Sequence, residues 1–241
     1  MFPRKTYPDF GSLAGAIPTP GMDVTEIPGR IGSPVTLRRS GKVYWYDMFD
    51  DLNAWVTYKT GVNSSVDISA TGMFGSGACL IKPGDAIDDF AYISLLIPSL
   101  LGHTIGLECN YWALGGTTEF QIQGIDALIT STPSPIAKIN QVWWAKQINY
   151  YYSGAWHQYA ETGLITSPYG WANIKLCVDF QKRKYKYLAY NDVELHPDNA
   201  LPVITGEVGK YINIIIKHTR DGLEIPAQLG IDFVIITIDE Y

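Results

Sequence analysis

Charge is scarce in this chain. Asp, Glu, Lys and Arg make up 17% of 241 residues, and the net charge is −6. The only basic block is the short run from Gln181 to Lys186. A phosphate-tracking surface needs a basic stripe, so nucleic-acid binding is not expected. Cysteine is nearly absent, with only Cys79, Cys109 and Cys177, far apart. No CxxC pair exists, which excludes a zinc knuckle on spacing. At most one disulfide can form, and small buried thiols are the expected state. Long apolar runs are missing too. The longest, Leu95 to Leu101, contains Pro98 and falls far short of the ~20 residues of a spanning helix. No apolar run follows Arg4 and Lys5, so no secretory signal peptide is expected.

Local signatures of chemistry are equally thin. His103, His157, His196 and His218 are dispersed, with no HxH or HExxH spacing for a metal. Gly75-Ser76-Gly77 is a Gly-rich turn and not the G-x-S-x-G elbow of a serine nucleophile. Phosphate-cradling glycine loops are absent. No metal is expected, with calcium on loop carboxylates such as Asp85, Asp88 and Asp89 as the alternative.

Aromatic residues, by contrast, are plentiful. They make up 13% of the chain, 16 of them Tyr, within an apolar share of 46%. That composition suits strands, and also surfaces that become covered. Pro3, Pro8, Pro18, Pro20, Pro28 and Pro34, interspersed with glycines, fill residues 1–41. Neither a helix nor a central strand tolerates that density, so the segment reads as an extended arm with polyproline II character. Phe2, Tyr7, Phe10, Leu13 and Ile17 are its candidate anchors, on its own body or on a neighbouring subunit.

Residues 42–241 read as a single β domain. Trp171 to Leu195 carries the clearest pattern. Ile174, Leu176, Val178 and Phe180 alternate with Asn173, Lys175, Cys177 and Asp179. A period of two sets one apolar row on a core and the polar row outward. A charged turn, Gln181 to Lys184, then leads into the aromatic strand Tyr185 to Tyr190. Further strands are predicted from Val43, Trp55, Val66, Ala78, Ala91, Thr104, Thr117, Trp156, Tyr211 and Ile231. Ile136 to Tyr152 reads as one long strand or two. About a dozen strands, with turn signals between them and no convincing helix, predict an all-β sandwich.

Phe49-Asp50-Asp51-Leu52-Asn53-Ala54-Trp55 resembles the F-x-D-L-x-x-W opening of concanavalin A-like (laminin G/lectin-type) sandwiches. The Trp171 hairpin resembles the late hairpin of that group. Gly230-Ile231-Asp232-Phe233-Val234-Ile235 resembles its final I-D-D-V-x-I strand, with Phe233 at the second Asp. The resemblance implies a two-sheet antiparallel jelly roll. The group includes lectins, carbohydrate-binding modules, glycosidases, adhesion domains and virion surface proteins, so fold alone does not choose a function. A glycosidase of the group would carry E-x-D-x-x-E on one strand. Here Glu119 and Glu108 each stand alone, and Asp88-Asp89 is a loop pair. These carboxylates are expected to be solvated, and the chain is expected not to be an enzyme.

The remaining constellation is the aromatic cluster from Trp143 to Tyr159. Trp144, Tyr150, Tyr152, Trp156 and Gln158 are the candidate glycan platform, since flat rings stack on sugars and amides bind hydroxyls. A packed core with a subunit interface explains the same residues. Two functions follow as expectations. One is a structural or assembly protein of a virion or other extracellular particle surface, self-associating or joining other particle subunits through the arm. The alternative is a carbohydrate-binding module or lectin.

Overall fold

The structure is a computed structural model. It describes residues 42–69, 77–98, 104–125, 136–142, 145, 147–152, 154–161, 170–180, 182, 184–191, 193–195, 211–222 and 225–238. The arm, with Phe2, Tyr7, Phe10, Leu13 and Ile17, lies outside the described residues.

Fifteen strands and no helix occur among the described residues. They are β1 (Lys42–Asp47), β2 (Val56–Lys59), β3 (Ser65–Ser69), β4 (Ala78–Lys82), β5 (Phe90–Pro98), β6 (Thr104–Leu114), β7 (Thr117–Ile125) and β8 (Ile136–Val142). There follow β9 (Gln147–Tyr152), β10 (Ala155–Glu161), β11 (Ala172–Asp179), β12 (Lys184–Tyr190), β13 (Val193–Leu195), β14 (Tyr211–Thr219) and β15 (Gln228–Ile238). The eight-stranded sheet runs β13-β12-β11-β6-β15-β4-β3, with β1 also paired to β15. The seven-stranded sheet runs β10-β9-β8-β7-β14-β5-β2. The two sheets form an antiparallel sandwich.

Alternation explains the core. Ile93 and Leu95 of β5, Ile212, Ile214 and Ile216 of β14, and Phe120 and Ile122 of β7 point inward from one sheet. Leu107, Ile174, Leu176, Val234 and Ile236 meet them from the other. Tyr111 and Phe120 bridge the layers edge to face, with ring centroids 4.9 Å apart. The buried Tyr111 hydroxyl donates to Gln141 Oε1, so neither polar group is stranded in the core. β6 belongs to the larger sheet and β7 to the smaller, and Gly115-Gly116 carries the chain between them. Both have positive φ, and a Cβ on Gly116 would stand 2.4 Å from the Thr219 carbonyl oxygen. Only glycine fits that corner.

The aromatic opening motif has a local cause. Asp47 accepts from the Phe49 N–H and the Trp55 indole N–H, both at 2.7 Å. Phe49, at φ 56°, then packs its ring 5.6 Å from that of Trp55. Burial raises the Asp47 pKa, against the lowering effect of these two donors.

Of the two readings of Ile136 to Tyr152 the second holds, with antiparallel strands β8 and β9, and the strand expected from Ala91 is β5. Two expectations change. The polar row of the Trp171 hairpin is not solvent-facing: Lys175 and Cys177 are wholly buried, and Asn173 nearly so. Glu108 is likewise wholly buried, paired in register with Lys175, so the expectation of a solvated carboxylate fails there. Asn110, next along that face, donates to Asn173 Oδ1 at 2.8 Å. These outward positions of the larger sheet are therefore buried, and period-two alternation alone does not tell whether an outward row is exposed. The three cysteines are buried and form no disulfide with one another, and burial pushes the thiols of Cys79 and Cys109 well up.

Candidate functional site

The outward face of the seven-stranded sheet carries aromatic, amide and charged side chains together. One register row crosses all seven strands. It reads Tyr58, Tyr92, Lys217, Glu119, Asn140, Asn149 and Gln158, each opposite the next. The adjacent row contains Ser94, Ile215, Gln121 and Lys138 in register, and then Tyr151 opposite Trp156. Because the residues between them point into the core, both rows share one face. Six interstrand steps span about 29 Å.

Aromatic rings stand at both ends. At the β2–β5 end Tyr58 stacks on Tyr92 and on Phe90, with centroids 5.3 Å and 5.7 Å away. At the β9–β10 end Tyr151 and Trp156 meet edge to face at 5.3 Å. Tyr58 and Trp156 are exposed. Between them lie amides and charges. Asn149 donates to Asn140 Oδ1 at 2.8 Å, and Gln121 donates to Gln123 Oε1 at 2.9 Å. Glu119 and Lys138 form an ion pair at 3.3 Å. The Lys138 ammonium also lies 5.1 Å from the Tyr151 ring centre, and that of Lys217 lies 4.5 Å from the Phe90 ring centre. Each cation is thus held over an aromatic face.

The larger sheet fixes this face from behind. The β8–β9 pairing reaches Ile139 opposite Tyr150. Beyond it the Tyr185 hydroxyl, from β12, accepts from the Lys138 N–H at 2.8 Å. Its own proton serves the carbonyls of Lys138, at 3.1 Å, and Tyr151, at 2.9 Å. Burial raises the Tyr185 pKa well above the usual phenol range, so the hydroxyl keeps that proton.

The sequence candidates separate. Trp156 and Gln158 are on the outward face. Tyr150 is not: alternation turns it inward, where it packs against the core, stacks on His157 at 5.5 Å and meets Tyr185 edge to face. Its outward neighbour Tyr151 takes that place. Tyr152 belongs to β9, but its side chain lies outside the described residues, as does the whole of Trp144. Tyr58, Phe90, Tyr92, Lys138 and Lys217 were not among the candidates. They lie far apart in sequence, and only strand order brings them together. Among the described residues no group of three or more His, Cys, Asp or Glu could hold a metal ion. Of the calcium candidates, Asp85 accepts from Asn63 at 2.6 Å and Asp89 from the Ala86 N–H at 2.9 Å.

No protein-family model matches the chain, and no curated protein matches it in sequence. Solved structures do match in fold. A Bacillus licheniformis β-glucanase superimposes with a TM-score of 0.54 at 14% identity, over 83% of this chain and 99% of that one. The Emp46p carbohydrate recognition domain gives 0.51 at 12%, over 81% and 93%. The fold is a concanavalin A-like jelly roll. A protein described as a sialidase gives 0.55 at 12%, over 85% of this chain, and the chain spans only 19% of that protein's length.

These neighbours correct one expectation. The chain was expected not to be an enzyme, yet a β-glucanase and a sialidase stand among the proteins that share its fold. A concanavalin A-like frame is no argument against catalysis. Among the described side chains of the outward face the one carboxylate is Glu119. The residues two and four further along the same strand face, Gln121 and Gln123, are amides that cannot ionise.

Proposed function

We propose that this lectin-like sandwich binds glycans on the outward face of its seven-stranded sheet. The supporting observation is the pair of aromatic clusters, Tyr58-Phe90-Tyr92 and Tyr151-Trp156, at the two ends of a row of amides and charges. Pyranose rings present apolar C–H faces and equatorial hydroxyls. Flat aromatic rings take the first and the exposed amide of Gln158 takes the second, while the buried amides Asn140, Asn149 and Gln121 hold the floor between the ring clusters through hydrogen bonds within the sheet. A face about 29 Å across suits an oligosaccharide better than one sugar. The lectin-like fold of neighbours such as the Emp46p domain supports the same reading. A glycan array with the full chain tests it. Binding should appear for the wild type and weaken in Trp156→Ala; a wild type that binds no glycan refutes it.

Assembly at a particle surface is the second reading. It is supported by composition: few charges, 17%, and many aromatic residues, 13%, suit surfaces that become covered. If residues 1–41 tether subunits, deleting them should reduce the mass measured by light scattering. An unchanged mass removes this reading.

A further inference from the structure

Resting on the glycan-binding reading, we propose that the preferred ligand is an acidic glycan, whose carboxylate or sulfate group is received by Lys217. The outward face carries two lysines, Lys138 and Lys217, against one described carboxylate, Glu119. That local balance is positive in a chain whose net charge is −6. Glu119 is committed to Lys138, at 3.3 Å. Lys217 is Glu119's register neighbour on the other side, but no carboxylate among the described residues forms an ion pair with it. Its ammonium is held instead over the Phe90 ring, at 4.5 Å.

A partly buried lysine whose ammonium lies over an aromatic face, with no ion pair among the described residues, keeps donors available for an anion. Its surroundings match the rest of such a ligand. Tyr92 lies beside it on β5, in the stack with Tyr58 that would take a sugar face. Asn213, four residues earlier on the same strand face with Ile215 between, offers an amide to a hydroxyl further along the ligand. A neutral glycan would leave the ammonium partly desolvated and unmatched, whereas an anionic one gains a charge-assisted hydrogen bond. Specificity then comes from leaving the wrong ligand with an unpaired cation.

The test is a titration of the full chain with three oligosaccharides of equal length: a neutral β-glucan, an oligogalacturonate and a sulfated oligogalactan. At least one acidic ligand should bind about tenfold more tightly than the neutral one, and the advantage should shrink as salt is raised. Which acidic ligand wins distinguishes carboxylate from sulfate. Lys217→Gln should abolish the preference with an unchanged melting temperature, and Lys217→Arg should restore it. Equal affinity for neutral and acidic ligands, or a preference that survives Lys217→Gln, overturns this inference and leaves glycan binding standing. Failure to bind any of the three, together with a blank glycan array, overturns both.

Discussion

The Tyr185 hydroxyl lies between the backbones of Lys138 and Tyr151, bonded to the first at 2.8 Å and to the carbonyl of the second at 2.9 Å. A residue of the larger sheet thus bridges β8 and β9 of the smaller one and sets two side chains of the ligand-competent face. Tyr185→Phe keeps the ring and strands these backbone groups in the interior. It should cost about 1–3 kcal/mol of stability, the usual cost of an unsatisfied buried group. Denaturant unfolding measures the loss, and glycan affinity should fall with it because Lys138 and Tyr151 lose their register.

Alternation makes neighbouring tyrosines serve different ends. Trp156 is 38% exposed and Tyr58 is 49% exposed, so replacing either by Ala should change stability by less than about 1 kcal/mol. Each should weaken glycan binding about tenfold, or roughly 1.4 kcal/mol. Tyr150→Ala should do the reverse. It removes a ring packed on the core and should cost about 3 kcal/mol of stability. Melting curves beside binding isotherms separate the two effects.

Glu119→Gln tests the charge arrangement. The Glu119–Lys138 pair is partly exposed, at 17% and 22%, so breaking it should cost less than about 1 kcal/mol. Both lysines then lack a described carboxylate beside them, and the acidic-ligand preference should increase. If the bound oligosaccharide is also cleaved, release of reducing ends should stop in this variant, since an amide can neither donate nor accept the catalytic proton.

His218 makes stability depend on pH. It is fully buried, its Nδ1 lies 3.0 Å from Thr118 Oγ1, and burial pushes its pKa down to about 4. The unfolded value is about 6.5. Above pH ~6.5 both states are neutral and nothing is lost. As pH falls from ~6.5 to ~4 the unfolded chain takes up a proton that the folded chain refuses, so stability falls, by about 3 kcal/mol in all. Unfolding free energies of wild type and His218→Gln, measured from pH 7 to 4.5, should differ in slope. Parallel curves would remove this role from His218.

The fold was largely legible because period-two alternation and turn residues are local. The Trp171 hairpin and the Phe49–Trp55 motif could be read directly. The candidate face was less so. Trp156 and Gln158 were visible in an aromatic run, but Tyr58, Tyr92, Glu119, Lys138 and Lys217 share a row only through the order β10-β9-β8-β7-β14-β5-β2. That order is a matter of long-range pairing, which no short window contains. Tyr150 and Tyr151 could not be separated without the register of β9, because a shift of one residue exchanges the two faces. The burial of Glu108 and Lys175 was hidden for a different reason. Burial of an outward row leaves no periodic mark on its strand.

The most direct measurement is a binding isotherm of the full chain with an oligosaccharide selected from the array, for wild type and for the double variant Tyr92→Ala/Trp156→Ala. The wild type should bind saturably. The double variant, which lacks one ring from each end of the row, should stay folded and lose at least about a hundredfold in affinity. Binding by the double variant as tight as that of the wild type would contradict it.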